Sequence, residues 1–211
     1  MAPRTFYANA KAWARALCRH DRTALGLHAS FAVLFDHESL FRTVGLETRK
    51  IVDAAVRGEP LVLRDPDATA DWCAAEDIVI ALAAIGARST PDEYVLGSGV
   101  KRSIRDWVAA AYARTGRAAA DFGATPGVRR PTLTAETGPA LTHLGWRCEI
   151  SFEAMVAKMV YDARARQWVV SDPSLRADAR VMVYSDAMAQ MPCRMTTCGS
   201  FSELSSFFSA R

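Results

Sequence analysis

The sequence predicts an α/β fold, and three observations carry that expectation. Helix-like and strand-like segments alternate along the first half of the chain. The first strand candidate is apolar almost throughout, as a strand buried in a parallel sheet is. A polar cluster, Asp36-His37-Glu38-Ser39, follows it directly, where open α/β sheets carry ligand-binding groups.

Taken in order, Tyr7 to about Arg22 is rich in Ala, Arg and Leu, lacks Pro and Gly, and stops before Gly26, which predicts a helix. Leu27–Phe35 follows as a strand of β-branched and aromatic residues. A second helix is expected from about Leu46 to Arg57 and a short strand at Leu61–Leu63. Ala75–Ile85 is nearly all apolar and reads as a buried helix, with Ile78, Val79, Leu82 and Ile85 as a core stripe. Tyr94–Gly97 reads as a strand. Ser103 is placed to cap a helix over Ile104–Thr115, closed by Gly116. Residues 117–138, rich in Gly, Pro, Ala and Arg, read as a long loop, and Ser151–Ala163 as a further helix. Beyond it Gln167–Val170 and Val181–Tyr184 are strand-like and would pair. The organisation expected is one unit over residues 1–163 and an unassigned tail over 164–211.

Composition bounds the function. A chain of 211 residues, half hydrophobic and 23% charged, has the make-up of a globular protein. A net charge of +3 without a clustered basic face argues against a nucleic-acid binder. No apolar run of membrane-spanning length is present, and the expected location is cytoplasmic. The cysteines Cys18, Cys73, Cys148, Cys193 and Cys198 have no C-x-x-C spacing and are expected as reduced thiols, with no metal site.

The chemistry-bearing pattern is Tyr7-Ala-Asn-Ala-Lys11. An i, i+4 spacing puts the two side chains on one helix face, where an ammonium stabilises a phenolate and so favours a general base. Alone, such a pair is as readily a surface tyrosine lying on a lysine stem. No G-x-G-x-x-G fingerprint follows any strand candidate, so a complete dinucleotide-binding domain does not fit in this sequence.

The pair gains weight from its company. After Tyr7 to Lys11 come Leu34-Phe-Asp-His-Glu-Ser39 and Glu47-Thr-Arg-Lys-Ile51, then Asp71-Trp72 with Asp77, Tyr94-Val-Leu-Gly-Ser-Gly99, Ser103-Ile-Arg105, Arg130-Pro131-Thr132, Leu144-Gly-Trp146 and Ser151-Phe-Glu153. This series, over roughly residues 3–163, resembles the GDP-mannose 4,6-dehydratases, extended short-chain dehydrogenase/reductases of the epimerase/dehydratase class. The resemblance implies the C-terminal portion of an extended Rossmann-type fold, without its N-terminal dinucleotide-binding half. It implies a lyase converting GDP-mannose to GDP-4-keto-6-deoxymannose by internal NADP-dependent oxidation, water elimination and re-reduction. By the same resemblance Tyr7 is the catalytic base and Lys11 its tuner, both touching the cofactor. His37 and Arg42 fall at further cofactor contacts, and Lys50, Arg105 and Arg130 at the substrate's pyrophosphate. Glu38 is expected to be structural.

The departures are specific. Asp36 stands where the family has Asn, Ala70 where it has Arg, Cys73-Ala-Ala-Glu76 where it has G-H-A-K, and Leu133 where it has Glu. The family's elimination glutamate, which lies upstream of the tyrosine, is not among these 211 residues. The alternative is therefore a non-catalytic or decayed nucleotide-sugar-binding homologue acting only with a partner. Another extended reductase or epimerase would need the Tyr–Lys pair but not the H-E-S and T-R-K-I segments. A half-built sheet exposes a strand edge, so a homo-oligomer or another association through that edge is expected.

Overall fold

The computed structural model describes residues 5–117, 123–124 and 133–171. The chain divides into two units, Met1–Trp168 and Val169–Arg211, and the elements below belong to the first, the last turn of the final helix apart.

Helix α1 spans Phe6–Ala24, and the Thr5 hydroxyl caps it by accepting the Ala8 N–H at 3.1 Å. None of its side chains is buried. What holds it is charge. Arg15 reaches Glu93 at 2.6 Å, Arg19 pairs with the same carboxylate, and Arg22 donates to the Ala29 carbonyl at 2.8 Å. Strand β1, Phe31–Leu34, begins where Phe31 N–H finds the Asp92 carbonyl. It then runs parallel to β5 (Glu93–Leu96), in the register Phe31 to Glu93 through Leu34 to Leu96.

Two expectations about this region fail. The strand is shorter than Leu27–Phe35, and it is not buried on both faces, since Val33 is 37% exposed. Among the described residues it has one ladder neighbour. The polar residues after it form a strand of their own: Asp36–Glu38 are β2, parallel to β4 (Thr69–Ala74) with His37 opposite Cys73. Strand β4 pairs antiparallel with β6 (Lys101–Ser103) on its other side. Strand β3, Val62–Leu63, pairs with β7, Gly123–Ala124.

Helix α2, Glu47–Arg57, ends at Gly58 in the left-handed conformation (φ 71°). Helix α4, Ile104–Thr115, opens on the expected Ser103 cap. Ser103 accepts the Asp106 N–H, while the Asp106 carboxylate accepts the Ser103 N–H at 2.7 Å, a full capping box. Helix α6, Phe152–Ser171, runs past Ala163. The predicted strand at Gln167–Val170 is its last turn, because hydrogen bonding that began at Phe152 outlasts the weak β preference of Val169 and Val170. Its supposed partner, Val181–Tyr184, lies outside the described residues.

The main core sits between α2, α4 and α6 and the edge of β4. Trp107 is fully buried there, edge-on to Trp72 (5.8 Å) and Phe152 (5.2 Å), with Ile51, Val52, Val156 and Met159 around it. A second cluster joins β5, α3 (Ala75–Gly86) and α5 (Gly138–Leu144) through Tyr94, Ile78, Ala140 and Trp146. The predicted stripe on α3 divides. Ile78 and Ile85 are buried, but Val79 is 63% exposed and Leu82 faces outward too. Apolar character alone says that a face needs a neighbour, not that the neighbour is present.

Candidate functional site

At the start of α1, Lys11 Nζ lies 5.5 Å from the centroid of the Tyr7 ring. Both side chains are exposed and lie on one face of the helix, as the spacing predicts. Among the described residues no hydrogen bond or ion pair joins it to the β2 end of the sheet, where the other candidates gather.

At that end, His37 Nδ1 is 3.0 Å from the Phe35 carbonyl. A carbonyl only accepts, so Nδ1 carries the hydrogen and Nε2 of the neutral ring is left as an acceptor. Arg42 is committed: its Nε stands 2.9 Å from Glu38 Oε2, as an ion pair rather than an aligned hydrogen bond. Glu38 is fully buried and also accepts from the Thr48 hydroxyl at 3.1 Å. Burial pushes its carboxyl up to about 7, against the lowering pull of Arg42 and Thr48 and with some help from the charge on Asp36. It ties β2 to α2. The crevice beside it, lined by Ser39, Leu40, Glu76 and Met155, is too shallow to enclose a ligand.

The T-R-K-I segment separates into two kinds of cation. Arg49 is buried, bonded to Asp53 at 2.9 Å and 3.9 Å from Asp162 of α6. Lys50 next to it is exposed. Arg105, in the first turn of α4, is exposed but engaged by Asp67 at 2.5 Å. Arg130 lies outside the described residues.

The organising group at this end is one the sequence did not single out for a role. Asp71, in β4 and fully buried, accepts four hydrogen bonds: Ser98 N–H (2.7 Å), Ser98 Oγ (2.6 Å), Gly99 N–H (2.9 Å) and Ala135 N–H (2.9 Å). It gathers the turn after β5 and the segment before α5 onto β4. Gly97 permits the approach. A Cβ there would come within 2.6 Å of Ala135 Cβ and 3.1 Å of Asp71 Oδ2. Only the run Gly97-Ser-Gly99 after a strand hinted at such a turn.

Close by, the expectation of free thiols is overturned at one pair. Cys73 and Cys148 form a disulfide, because β4 and the segment before α6 bring their Cα atoms to 6.5 Å, inside bonding range. Cys18 is free. Asp77, in the first turn of α3, accepts the N–H groups of Glu149 (3.1 Å) and Ile150 (2.9 Å), and burial raises its carboxyl above the usual range.

The family model for GDP-mannose 4,6 dehydratase matches residues 1–159, three quarters of the chain and all the elements through α5, with the start of α6. The chain belongs to the GDP-mannose 4,6-dehydratase family. A GDP-mannose 4,6-dehydratase of Sinorhizobium fredii (strain HH103) is 33% identical, over 75% of this chain and 53% of its own length. GDP-mannose 4,6 dehydratase 1 of Arabidopsis thaliana is 30% identical, over 75% and 46%. The chain thus spans about half the length of these dehydratases. Among solved structures, RMD from Pseudomonas aeruginosa complexed with NADPH superposes with a TM-score of 0.70 at 18% identity, over 78% of this chain and 57% of its own. DesIV, a dTDP-glucose 4,6-dehydratase from Streptomyces venezuelae with NAD and TYD bound, gives 0.71 at 18%, over 80% and 54%. These likenesses show the Rossmann-type α/β fold of the epimerase/dehydratase class.

Proposed function

We propose that this chain supplies the base-bearing part of a nucleotide-sugar 4,6-dehydratase, a lyase that takes GDP-mannose to GDP-4-keto-6-deoxymannose. The observation that carries the reading is the Tyr7–Lys11 pair, set on the exposed face of α1 inside a family match over residues 1–159. Tyr7 removes the proton from the sugar hydroxyl being oxidised, and the ammonium of Lys11 stabilises the phenolate that receives it. Exposed Lys50, with Arg130, is suited to the pyrophosphate; Arg105 serves it only by sharing its charge with Asp67.

A nicotinamide dinucleotide, NADP by the family, supplies hydride acceptance and return when bound. The residues present fit its nicotinamide end. Tyr7 and Lys11 are open to a ribose, and His37 offers an acceptor nitrogen. Arg42 contributes only through the Glu38 pair.

No described helix is long and apolar enough to cross a membrane, and we place the protein in the cytoplasm, without a membrane or nucleic-acid partner. The edge of β1 without a ladder partner among the described residues, with exposed Phe6, Trp13 and Leu17 on α1 and Val79 and Ile80 on α3, supports association, as a homo-oligomer or with a chain that extends the sheet. The second reading is a nucleotide-sugar-binding homologue without turnover. Asp36 and Ala70, together with the neutralisation of Arg42, favour it.

One experiment separates them. The chain is joined in frame to the dinucleotide-binding part of the Sinorhizobium fredii relative and given GDP-mannose and NADP. Dehydratase function predicts a product lighter by one water, nearly abolished in Tyr7→Phe. A folded, NADP-binding hybrid that makes none refutes it, and GDP-mannose binding without turnover then establishes the second reading.

A further inference from the structure

Three ligand-bearing side chains meet away from the Tyr7–Lys11 pair. Cys73 Sγ, Cys148 Sγ and a carboxylate oxygen of Asp77 all lie within 4.8 Å of one another. They come from three places that the fold already fixes: the end of β4, the first turn of α3, and the segment leading into α6. Asp77 is itself oriented by the Glu149 and Ile150 N–H groups on its Oδ2. The Trp146 indole N–H, donated to the Asp77 carbonyl at 2.8 Å, holds the same segment from the other side. The frame therefore does not depend on the sulfur–sulfur bond alone.

We propose that the reduced form of this cluster binds one thiophilic divalent cation, zinc by its chemistry, so that the disulfide and the ion are alternative occupants of one place. Two soft thiolates and a carboxylate are a zinc ligand set, completed to four by water. The Gly97 carbonyl, 3.3 Å from Cys148 Sγ, faces the same spot. A Cα separation of 6.5 Å serves a bond between the sulfurs or, after side-chain rotation, two sulfurs on one ion. Reduction adds two electrons and two protons to the disulfide. They come from two molecules of a small thiol, which leave joined as their own disulfide. The cation then displaces the two thiol protons.

Cys148 is only partly buried, which gives an attacking thiolate its access, whereas Cys73 is buried. Cys73 lies opposite His37 across the β2–β4 ladder, so either occupant is felt at the candidate site. The proposal stands whether or not the chain is part of a dehydratase.

The test uses the full chain, reduced with a phosphine that is oxidised with oxygen from water, then desalted without air. Cadmium titration should show the ultraviolet thiolate-to-cadmium band at one ion per reduced chain and none in the oxidised chain. With Cys193→Ser and Cys198→Ser present throughout, Cys73→Ser and Cys148→Ser together should lose the band, Asp77→Asn should weaken binding at least tenfold, and Cys18→Ser should change nothing. If the serine variants do not fold, zinc should still protect Cys73 and Cys148 of the reduced parent from iodoacetamide, read by peptide mass mapping. A band that survives both serine changes overturns the proposal, as does equal alkylation with and without zinc.

Discussion

Asp71→Asn is the change from which the structure predicts most. The substitution keeps volume and shape but replaces one of two accepting oxygens by an NH2 group. In the parent each oxygen receives two donors, Ser98 N–H and Oγ at one, Gly99 and Ala135 N–H at the other. The best the amide can do is turn its nitrogen toward Ser98, whose hydroxyl then accepts. The Ser98 N–H is left without a partner, which costs about 1–3 kcal/mol, and the surviving bonds lose charge assistance worth roughly 1 kcal/mol each. The sum is about 4 kcal/mol. With a urea slope near 2 kcal/mol/M, the unfolding midpoint should fall by roughly 2 M. Trp72 and Trp107 in the core report the transition by fluorescence. The control is Asp36→Asn on the exposed side of β2, expected within about 0.5 kcal/mol of the parent. A midpoint for Asp71→Asn less than about 0.5 M below the parent would show that the carboxylate is not the hub the geometry makes it.

Glu38 titrates near 7 in the folded chain and at its ordinary value of 4.5 when unfolded, so the folded state holds its proton more tightly. Its stabilising contribution is complete below pH 4.5 and is lost as pH rises through 7; Glu38→Gln should flatten that slope in melting temperature between those limits. Glu93 behaves oppositely. The Arg19 and Arg15 guanidinium groups hold its carboxyl at about 2, so what it contributes is present above pH 4.5 and lost as pH falls toward 2. Glu93→Gln should make α1 the first site of limited proteolysis at neutral pH, and raised salt should do the same to the parent. Gly97→Ala forces its Cβ against Ala135 and should cost about 1–3 kcal/mol. Combined with Asp71→Asn the loss should be less than the sum, since both disturb the same Ala135 contact.

What was legible in the sequence was local. The Ser103 cap and the Gly116 stop lie within one helix, and α4 was bounded to the residue. The Tyr7–Lys11 spacing is likewise a one-turn relation. What was not legible depended on partners far along the chain. Strand β1 starts at Phe31 because Asp92 is its first partner, and nothing near Phe31 announces it. The donors to Asp71 lie 27, 28 and 64 residues away, and the Cys73–Cys148 pair is 75 apart. Arg49 and Lys50 look alike as adjacent helix cations. Only the approach of α6, bringing Asp162, shows that one is packed inside and the other exposed.

Helix α1, with no buried side chain and three arginines as its moorings, has a consequence for how the molecule breathes. Amide protection follows the free energy needed to open each segment, and a helix held by surface charge opens at far lower cost than one locked in a core. The amides of Tyr7 to Lys11 should therefore exchange with solvent well before those of α4 around Trp107. The residue expected to act as base rides on the part of the fold that lets go first, so whatever seats α1 also decides for how much of the time Tyr7 stands in place.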